Sequence, residues 1–239
     1  GGSGGSTTAA SVCPAVYEAA TQARLKLVQL AIDDAQSPLH GAAAEDIGTK
    51  DGKLFLESSP EKFELITTLI GRNGNTPVEA TVTSELPKDR DSFTSHSWGA
   101  VFAEVAVDAD THMVQVRRVV ATYDIGTLIN QKTGTSQLSG GIVWGVGMAL
   151  HEETLIDKKY GRAVNENLAE YHVPVNADIH EIDVTCLNIP DLKFNPLGAR
   201  GIGEIGITGV AAAVANAIYN ATGKRIRDFP ITLDKLMQA

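Results

Sequence analysis

Cysteine is nearly missing from this chain of 239 residues, with only Cys13 and Cys186, far apart in sequence. That spacing excludes a Cys-x-x-Cys metal site and an iron–sulfur cluster held by this chain alone. A single disulfide stays open, but a chain of this size folds without a staple, and two free thiols are expected. Positive charge is also short, with 20 Lys and Arg against 29 Asp and Glu and a formal net charge of −9. Binding along a phosphate backbone needs clustered Lys and Arg. Only residues 224–227 form a basic patch, so no nucleic acid partner is expected. Long apolar runs are absent as well: residues 142–150 are too few to span a bilayer and are broken by Gly145 and Gly147, so no membrane span is expected. The six histidines (His40, His96, His112, His151, His172 and His180) never recur at His-x-x-x-His or another metal-ligating spacing. No Gly-x-Ser-x-Gly elbow supports a serine hydrolase. No signal peptide opens the chain. The start at Gly1 without a methionine reads as a cut or trimmed product, and the compartment stays open.

What is present is a core-forming composition, 43% hydrophobic and 21% charged, enough for one large or two small domains. Apolar spacing through Val16, Ala20, Ala23, Leu27, Leu30 and Ala31 predicts a long helix with Pro14 in its first turn, ended by Ser37-Pro38. Asp51-Gly52 reads as a hairpin turn before Leu54-Phe55-Leu56. Pro60 is expected to open a helix through Leu69, closed by Gly71. Residues 78–86 and 99–107 alternate as strands, and a turn at 108–112 leads into another strand over 114–122, an antiparallel hairpin. A glycine-rich helix over 133–153, a strand over 182–187 and a helix from Thr208 to Thr222 complete the order. Without βα alternation, this favours an α+β fold, antiparallel strands with packed helices. A boundary at residues 87–91 is expected, giving lobes over 1–90 and 91–239.

Two glycine-rich segments carry the chemistry. Residues 198–206, Gly-Ala-Arg-Gly-Ile-Gly-Glu-Ile-Gly, hold one carboxylate, Glu204, immediately before a small-residue helix. Such a loop lets backbone N–H groups close around a ligand while one acid faces the reacting atom. A carboxylate in a partly desolvated loop is driven toward its neutral form, which suits a general base; the alternative is a solvated surface charge. Gly201-x-Gly203-x-x-Gly206 formally matches the dinucleotide fingerprint, but Phe194-Asn-Pro-Leu-Gly before it is a turn where that fingerprint needs a buried strand.

The second segment runs through Asn130, Gln131, Lys132, Thr133 and Gln137 to Gly140, Gly141, Gly145 and Gly147. Four glycines inside one helix cost roughly 3–4 kcal/mol relative to alanine. Close helix packing accounts for Gly145 and Gly147 as readily as a ligand does. For Gly140 and Gly141 the reading is backbone approaching a flat ligand, with residues 130–133 at the helix N-terminus meeting its polar groups.

Together these segments resemble the molybdenum-binding subunit of the xanthine oxidase and aldehyde oxidoreductase family, in its C-terminal part, and most of all the bacterial aldehyde oxidoreductases that carry molybdopterin cytosine dinucleotide. The resemblance implies a C-terminal part of a molybdenum cofactor-binding domain in which Glu204 is the catalytic base. It also implies cofactor contacts from Gly4, Gly5, Ser6, Thr7 and Thr8, from Asn130, Gln131, Lys132, Thr133, Gln137, Gly140 and Gly141, and from Arg200, Gly201, Ile202 and Gly203. No side chain is expected to ligate the metal. Gln131 departs from the proline that many relatives carry there, and a structural ion pair is the alternative role for Arg200. The opening Gly-Gly-Ser-Gly-Gly-Ser reads either as a flexible linker or, as the resemblance favours, as a native turn facing the cofactor. His96 and Trp98 are candidates for the border of a substrate channel. Asn165-Glu-Asn-Leu-Ala-Glu170-Tyr171 resembles a structural stretch of the family.

The implied activity is oxidation of an aldehyde to a carboxylic acid with water-derived oxygen. Electrons would leave through iron–sulfur partners, with or without FAD, and the upstream half of the molybdenum subunit would complete the site around a small-molecule substrate. Such a fragment should not turn over alone. The alternatives are hydroxylation of an N-heterocycle of purine or isoquinoline type, or a noncatalytic binding module whose glycines serve packing. Bacterial cytoplasm and periplasm both stay open.

Overall fold

The computed structural model describes residues 4–238; the first half of the opening Gly/Ser run, where the linker reading falls, lies outside them. The chain divides into two compact units, one of the residues through Ala10 and from Leu86 onward, the other Ser11–Glu85. The fold is α+β.

In the smaller unit, helix α1 (Thr8–Asp33, whose first residues count with the larger unit) precedes strands β1 (Ile47–Lys50), β2 (Lys53–Leu56) and β3 (Ser59–Leu65) and helix α2 (Ile66–Arg72). The strands form an antiparallel meander. Asp51 and Gly52 both take positive φ, 49° and 74°, as a two-residue hairpin turn requires. Val28, Ala31, Leu39, Ile47, Leu54 and Leu69 form the core. Arg72 ties α2 to Glu64 (2.5 Å) and to Asp34 (2.7 Å).

Three local expectations are corrected here. Pro60 opens no helix: it lies in β3, an edge strand, where a residue without an N–H is tolerated. Residues 78–86 join no ladder, so their alternation is a surface pattern without a partner strand. Helix α1 begins at Thr8, so Pro14 is inside it rather than in its first turn and deprives the Ala10 carbonyl of its helical donor.

The larger unit contains β4 (Trp98–Val107), β5 (Val114–Asp124), α3 (Gln131–Leu150), the short ladder of β6 (Ile156–Asp157) with β7 (Arg162–Ala163), then β8 (Glu181–Cys186), α4 (Val210–Thr222) and α5 (Leu233–Gln238). Strand β5 pairs antiparallel with β4 and parallel with β8. The parallel pairing needs a long crossover, and α3 lies on it. Alternate residues of β5 (Val119, Ala121 and Tyr123) are buried, as are Leu138, Ile142, Val146 and Ala149 on α3 and Val210, Val214 and Ile218 on α4. The helical sets recur at three or four residues and the strand set at two, so each element presents one apolar face to a common core. Each large aliphatic side chain so buried contributes about 1.5–3 kcal/mol.

The helix glycines set how closely these elements approach. A Cβ on Gly145 would lie 2.4 Å from the Val210 side chain, and one on Gly141 would lie 2.7 Å from the backbone of Gly206. No helix among the described residues is long and apolar enough to cross a membrane.

Candidate functional site

The loop carrying Glu204 is built by its own polar residues before anything else touches it. Asn195, 1% exposed, donates to the Ala199 carbonyl at 2.7 Å and accepts from the N–H groups of Leu197 and Ala199. This is the local side chain–backbone bonding that Asn favours in turns. Gly198, at φ 68°, returns the chain so that its carbonyl accepts from both Asp191 N–H and Thr127 N–H. Ala199 then bridges Gly126 just beyond β5, and Arg200 N–H donates to the Ile125 carbonyl.

Arg200 is half-buried and forked. Its Nη1 donates to Asp191 at 2.8 Å, and its Nη2 donates to both the side chain (2.6 Å) and the carbonyl (3.1 Å) of Asp124, while Nε has no partner among the described residues. Burial pushes the Asp191 carboxyl up, but hydrogen bonds from Arg200 and Ser95 outweigh it and hold the group below its ordinary value. The guanidinium thus stands in an ion-pair network with Asp124 and Asp191 and also borders the cavity that Glu204 lines.

Further along, two side chains grip Gly203, the residue before Glu204. Ser6 Oγ accepts its N–H at 2.9 Å, and Gln137 Nε2 donates to its carbonyl at 2.7 Å. A Cβ on Gly201 or Gly203 would come within 2.8 Å of Ser6, so these glycines are required by the N-terminal turn that packs on them. Ser97 donates to the Gly201 carbonyl at 3.1 Å, and Tyr123 donates to the Gly206 carbonyl at 3.2 Å. Burial pushes the Tyr123 phenol up to about 12, keeping it a neutral donor there.

Glu204 lines a cavity of about 280 Å³ together with Gly5, Ser6, Ser95, His96 and Arg200. The carboxylate is exposed. The partly desolvated setting expected of it is therefore not supplied by this chain, because the glycines beside it pack inward on Ser6 and α3.

A second cavity of about 350 Å³ is bordered by Lys132, Thr133, Gln137, Gly140 and Trp144, and Gly203 edges both cavities. Nothing lies within 4 Å of the position a Gly140 Cβ would take. Gly141 lines the same cavity, and a Cβ added to it would meet the Gly206 backbone at 2.7 Å.

At the helix start, Asn130 accepts from Thr133 N–H and Oγ1 as an N-cap, and Gln131 bonds Thr135, so Lys132 is the cation left facing this cavity. Ile202 packs against the core. Gly4 accepts from Thr7, and Thr8 begins α1. Of the residues expected from sequence, Gly5, Ser6, Arg200, Gly201, Gly203 and Glu204 line one cavity, and Lys132, Thr133, Gln137, Gly140, Gly141 and Gly203 line the other. It misses Asp124, Asp191, Ser95, Ser97 and Trp144. Only Asn195-Pro196 carried a local signal, that of an Asx turn. Among the described residues no group of three or more His, Cys, Asp or Glu could hold a metal ion.

Comparison with known proteins gives this geometry a family. Residues 1–180 match the molybdopterin cofactor-binding domain. The molybdenum-binding subunit of the aldehyde oxidoreductase PaoC of Escherichia coli K12 is 48% identical over 136 residues, which are 57% of this chain and 19% of that subunit. The putative xanthine dehydrogenase molybdenum-binding subunit XdhA of the same organism is 32% identical over 142 residues, 59% of this chain and 19% of that one. The crystal structure of quinoline 2-oxidoreductase from Pseudomonas putida 86 superposes with a TM-score of 0.71 at 28% identity, covering 92% of this chain and 28% of that one. The matches to the curated relatives thus span about a fifth of those relatives' length. With most of its length matched by the domain, the chain belongs to the molybdopterin cofactor-binding domain family, that of the molybdenum-binding subunits of the xanthine oxidase family.

Proposed function

We propose that this chain is the part of a molybdenum hydroxylase subunit that carries the general base, Glu204, and one wall of the cofactor's seat, and that the complete enzyme oxidises an aldehyde to a carboxylic acid. The observation that carries this reading is the double grip on Gly203: both polar groups of the residue before Glu204 are held by side chains, Ser6 and Gln137, so an exposed carboxylate rides on a fixed backbone. A base positioned this way loses little freedom when it acts.

The second cavity fits an anionic, flat cofactor. Lys132 supplies a positive charge, Gln137 a polar edge, Gly140 an open floor and Trp144 an aromatic wall. Those residues would hold the group, which we take to be molybdopterin cytosine dinucleotide because the resemblance is to the enzymes that carry it. When bound, the molybdenum cofactor supplies two-electron redox chemistry.

The overall balance is an aldehyde and water giving a carboxylic acid, two protons and two electrons. Glu204 takes a proton at its carboxylate. The electrons pass to iron–sulfur partners, with or without FAD, since two separated cysteines cannot build a cluster here. The water-excluding cover over Glu204 would come from the rest of the subunit. Quinoline 2-oxidoreductase favours a second reading, hydroxylation of an N-heterocycle, but the higher identity to PaoC supports the aldehyde.

The test is Glu204→Gln in the complete enzyme, assayed with an artificial electron acceptor against a panel of aldehydes and N-heterocycles. Turnover should fall by about 10²–10⁴ with molybdenum content unchanged and KM little affected. A variant that keeps more than about a tenth of wild-type kcat at full cofactor occupancy removes Glu204 as the base.

A further inference from the structure

We propose that Arg200, held between Asp124 and Asp191, is a positioning residue that sets where the Glu204 carboxylate stands. The inference rests on Glu204 being the base and goes beyond it. The guanidinium joins three pieces of chain at one point: Asp124 ends β5, Asp191 begins the loop, and Arg200 is the fourth residue before the carboxylate. Its bonds at 2.6, 2.8 and 3.1 Å engage two carboxylates and one carbonyl, and its side chain is only 10% exposed. Both aspartates are themselves anchored: the Asp124 carboxylate accepts from Gly126 N–H, the Asp191 carboxylate accepts from Ser95, and the Asp191 backbone N–H donates to the Gly198 carbonyl. A planar fork meeting two fixed acceptors admits one placement, whereas a lysine ammonium, a point charge on a flexible stem, imposes no such geometry.

The fork fixes residue 200 and the grip of Ser6 and Gln137 fixes residue 203, so Glu204 leaves a segment tied at both ends. Loosening the first tie lets that segment shift. A displacement of about 1 Å at a reacting group lowers turnover by about 10²-fold.

The experiment compares Arg200→Gln, Arg200→Lys, Glu204→Gln and the double variant Arg200→Gln with Glu204→Gln, all in the complete enzyme, reading kcat, KM and bound molybdenum for each. Arg200→Gln should lower kcat by about 10²-fold with wild-type molybdenum content and a KM within about threefold of wild type. Arg200→Lys, which keeps the charge and one bond, should recover at least about a tenfold part of that loss. In the Glu204→Gln background, Arg200→Gln should have no further effect on kcat, because no base is left to place. If Arg200→Gln does not fold, Arg200→Lys carries the same comparison: a lower kcat beside an intact Glu204 and an unchanged one beside Glu204→Gln. Loss of molybdenum in step with loss of activity assigns Arg200 to the cofactor and overturns the proposal. So does an equal fold-loss in both backgrounds. An active Glu204→Gln enzyme sinks the base assignment itself, a separate and recognisable failure.

Discussion

Gly140 and Gly141 are neighbours on α3, and the structure gives them opposite responses to the same added methyl group. In a helix interior, glycine to alanine stabilises by about 1 kcal/mol through the backbone freedom that the unfolded chain loses. At Gly140 nothing lies within 4 Å of the new Cβ, so that gain should appear nearly whole. At Gly141 the methyl would fall 2.7 Å from Gly206 C and Cα and 2.8 Å from Ile207 N. These are backbone atoms, pinned by Tyr123 on the Gly206 carbonyl, and cannot rotate aside as a side chain does. Overpacking of this kind costs about 1–3 kcal/mol, leaving a net loss of up to about 2 kcal/mol after the helix gain.

For a chain of this length about 1 kcal/mol moves the melting midpoint by roughly 2–4 °C, so the two variants, which differ by the overpacking cost of about 1–3 kcal/mol, should separate by about 2–12 °C. Thermal melts of Gly140→Ala and Gly141→Ala, followed side by side by circular dichroism, read the difference directly. Equal shifts, or a Gly141→Ala protein more stable than wild type, would refute the packing argument. In the complete enzyme, Gly140→Ala also places a methyl group into the cavity beside Lys132 and Gln137, and bound molybdenum should fall although the fold is firmer.

Asp191 supplies a pH test. Its folded value is held below the unfolded one, so the stabilisation it brings is present above about pH 4, the ordinary aspartate value, and is lost as pH falls through the folded value. Asp191→Asn should flatten its share of the acid limb of stability, and an unchanged slope in acid denaturation would show that the pairing with Arg200 contributes nothing. Cys13 and Cys186 are free, so thiol labelling under denaturing, non-reducing conditions should count two groups. A count of zero, restored by reduction, would reveal a disulfide.

The parts of this fold that sequence exposes are those whose cause is local. Asp51-Gly52 announces its turn because two successive positive φ angles suit few other residue pairs. The hairpin of β4 and β5 and the stripes of α3 and α4 follow from periodicity. Pro60 misleads because proline is allowed both in the first helical turn and on an edge strand, and only the neighbouring β2 decides which applies. The parallel pairing of β8 with β5 has no local signature, since a crossover of many residues separates the two strands. The same holds at the site. Glu204 and Gln137 stand out beside their glycines, yet Arg200 meets Asp124 across 76 positions, and no pattern in either segment points to the other. The glycines show most clearly what sequence withholds: Gly140 and Gly141 are indistinguishable in composition, and only the Gly206 backbone separates them.

The bond between Ser6 Oγ and Gly203 N–H joins residues 197 positions apart, so it cannot form until long after Ser6 is made. At ribosomal rates of about 5–20 residues per second, Ser6 waits roughly 10–40 s for its partner to be made. In that interval all of Ser11–Glu85, a compact unit with its own core, has been synthesised. The larger unit is thus discontinuous in sequence, its turn at Ser6 made well before the loop it must hold. Until Gly203 arrives, Ser6 Oγ lacks the N–H it accepts from. A ribosome stalled before residue 203 would leave helix α3 built while the grip on Gly203 and the proposed base were both absent.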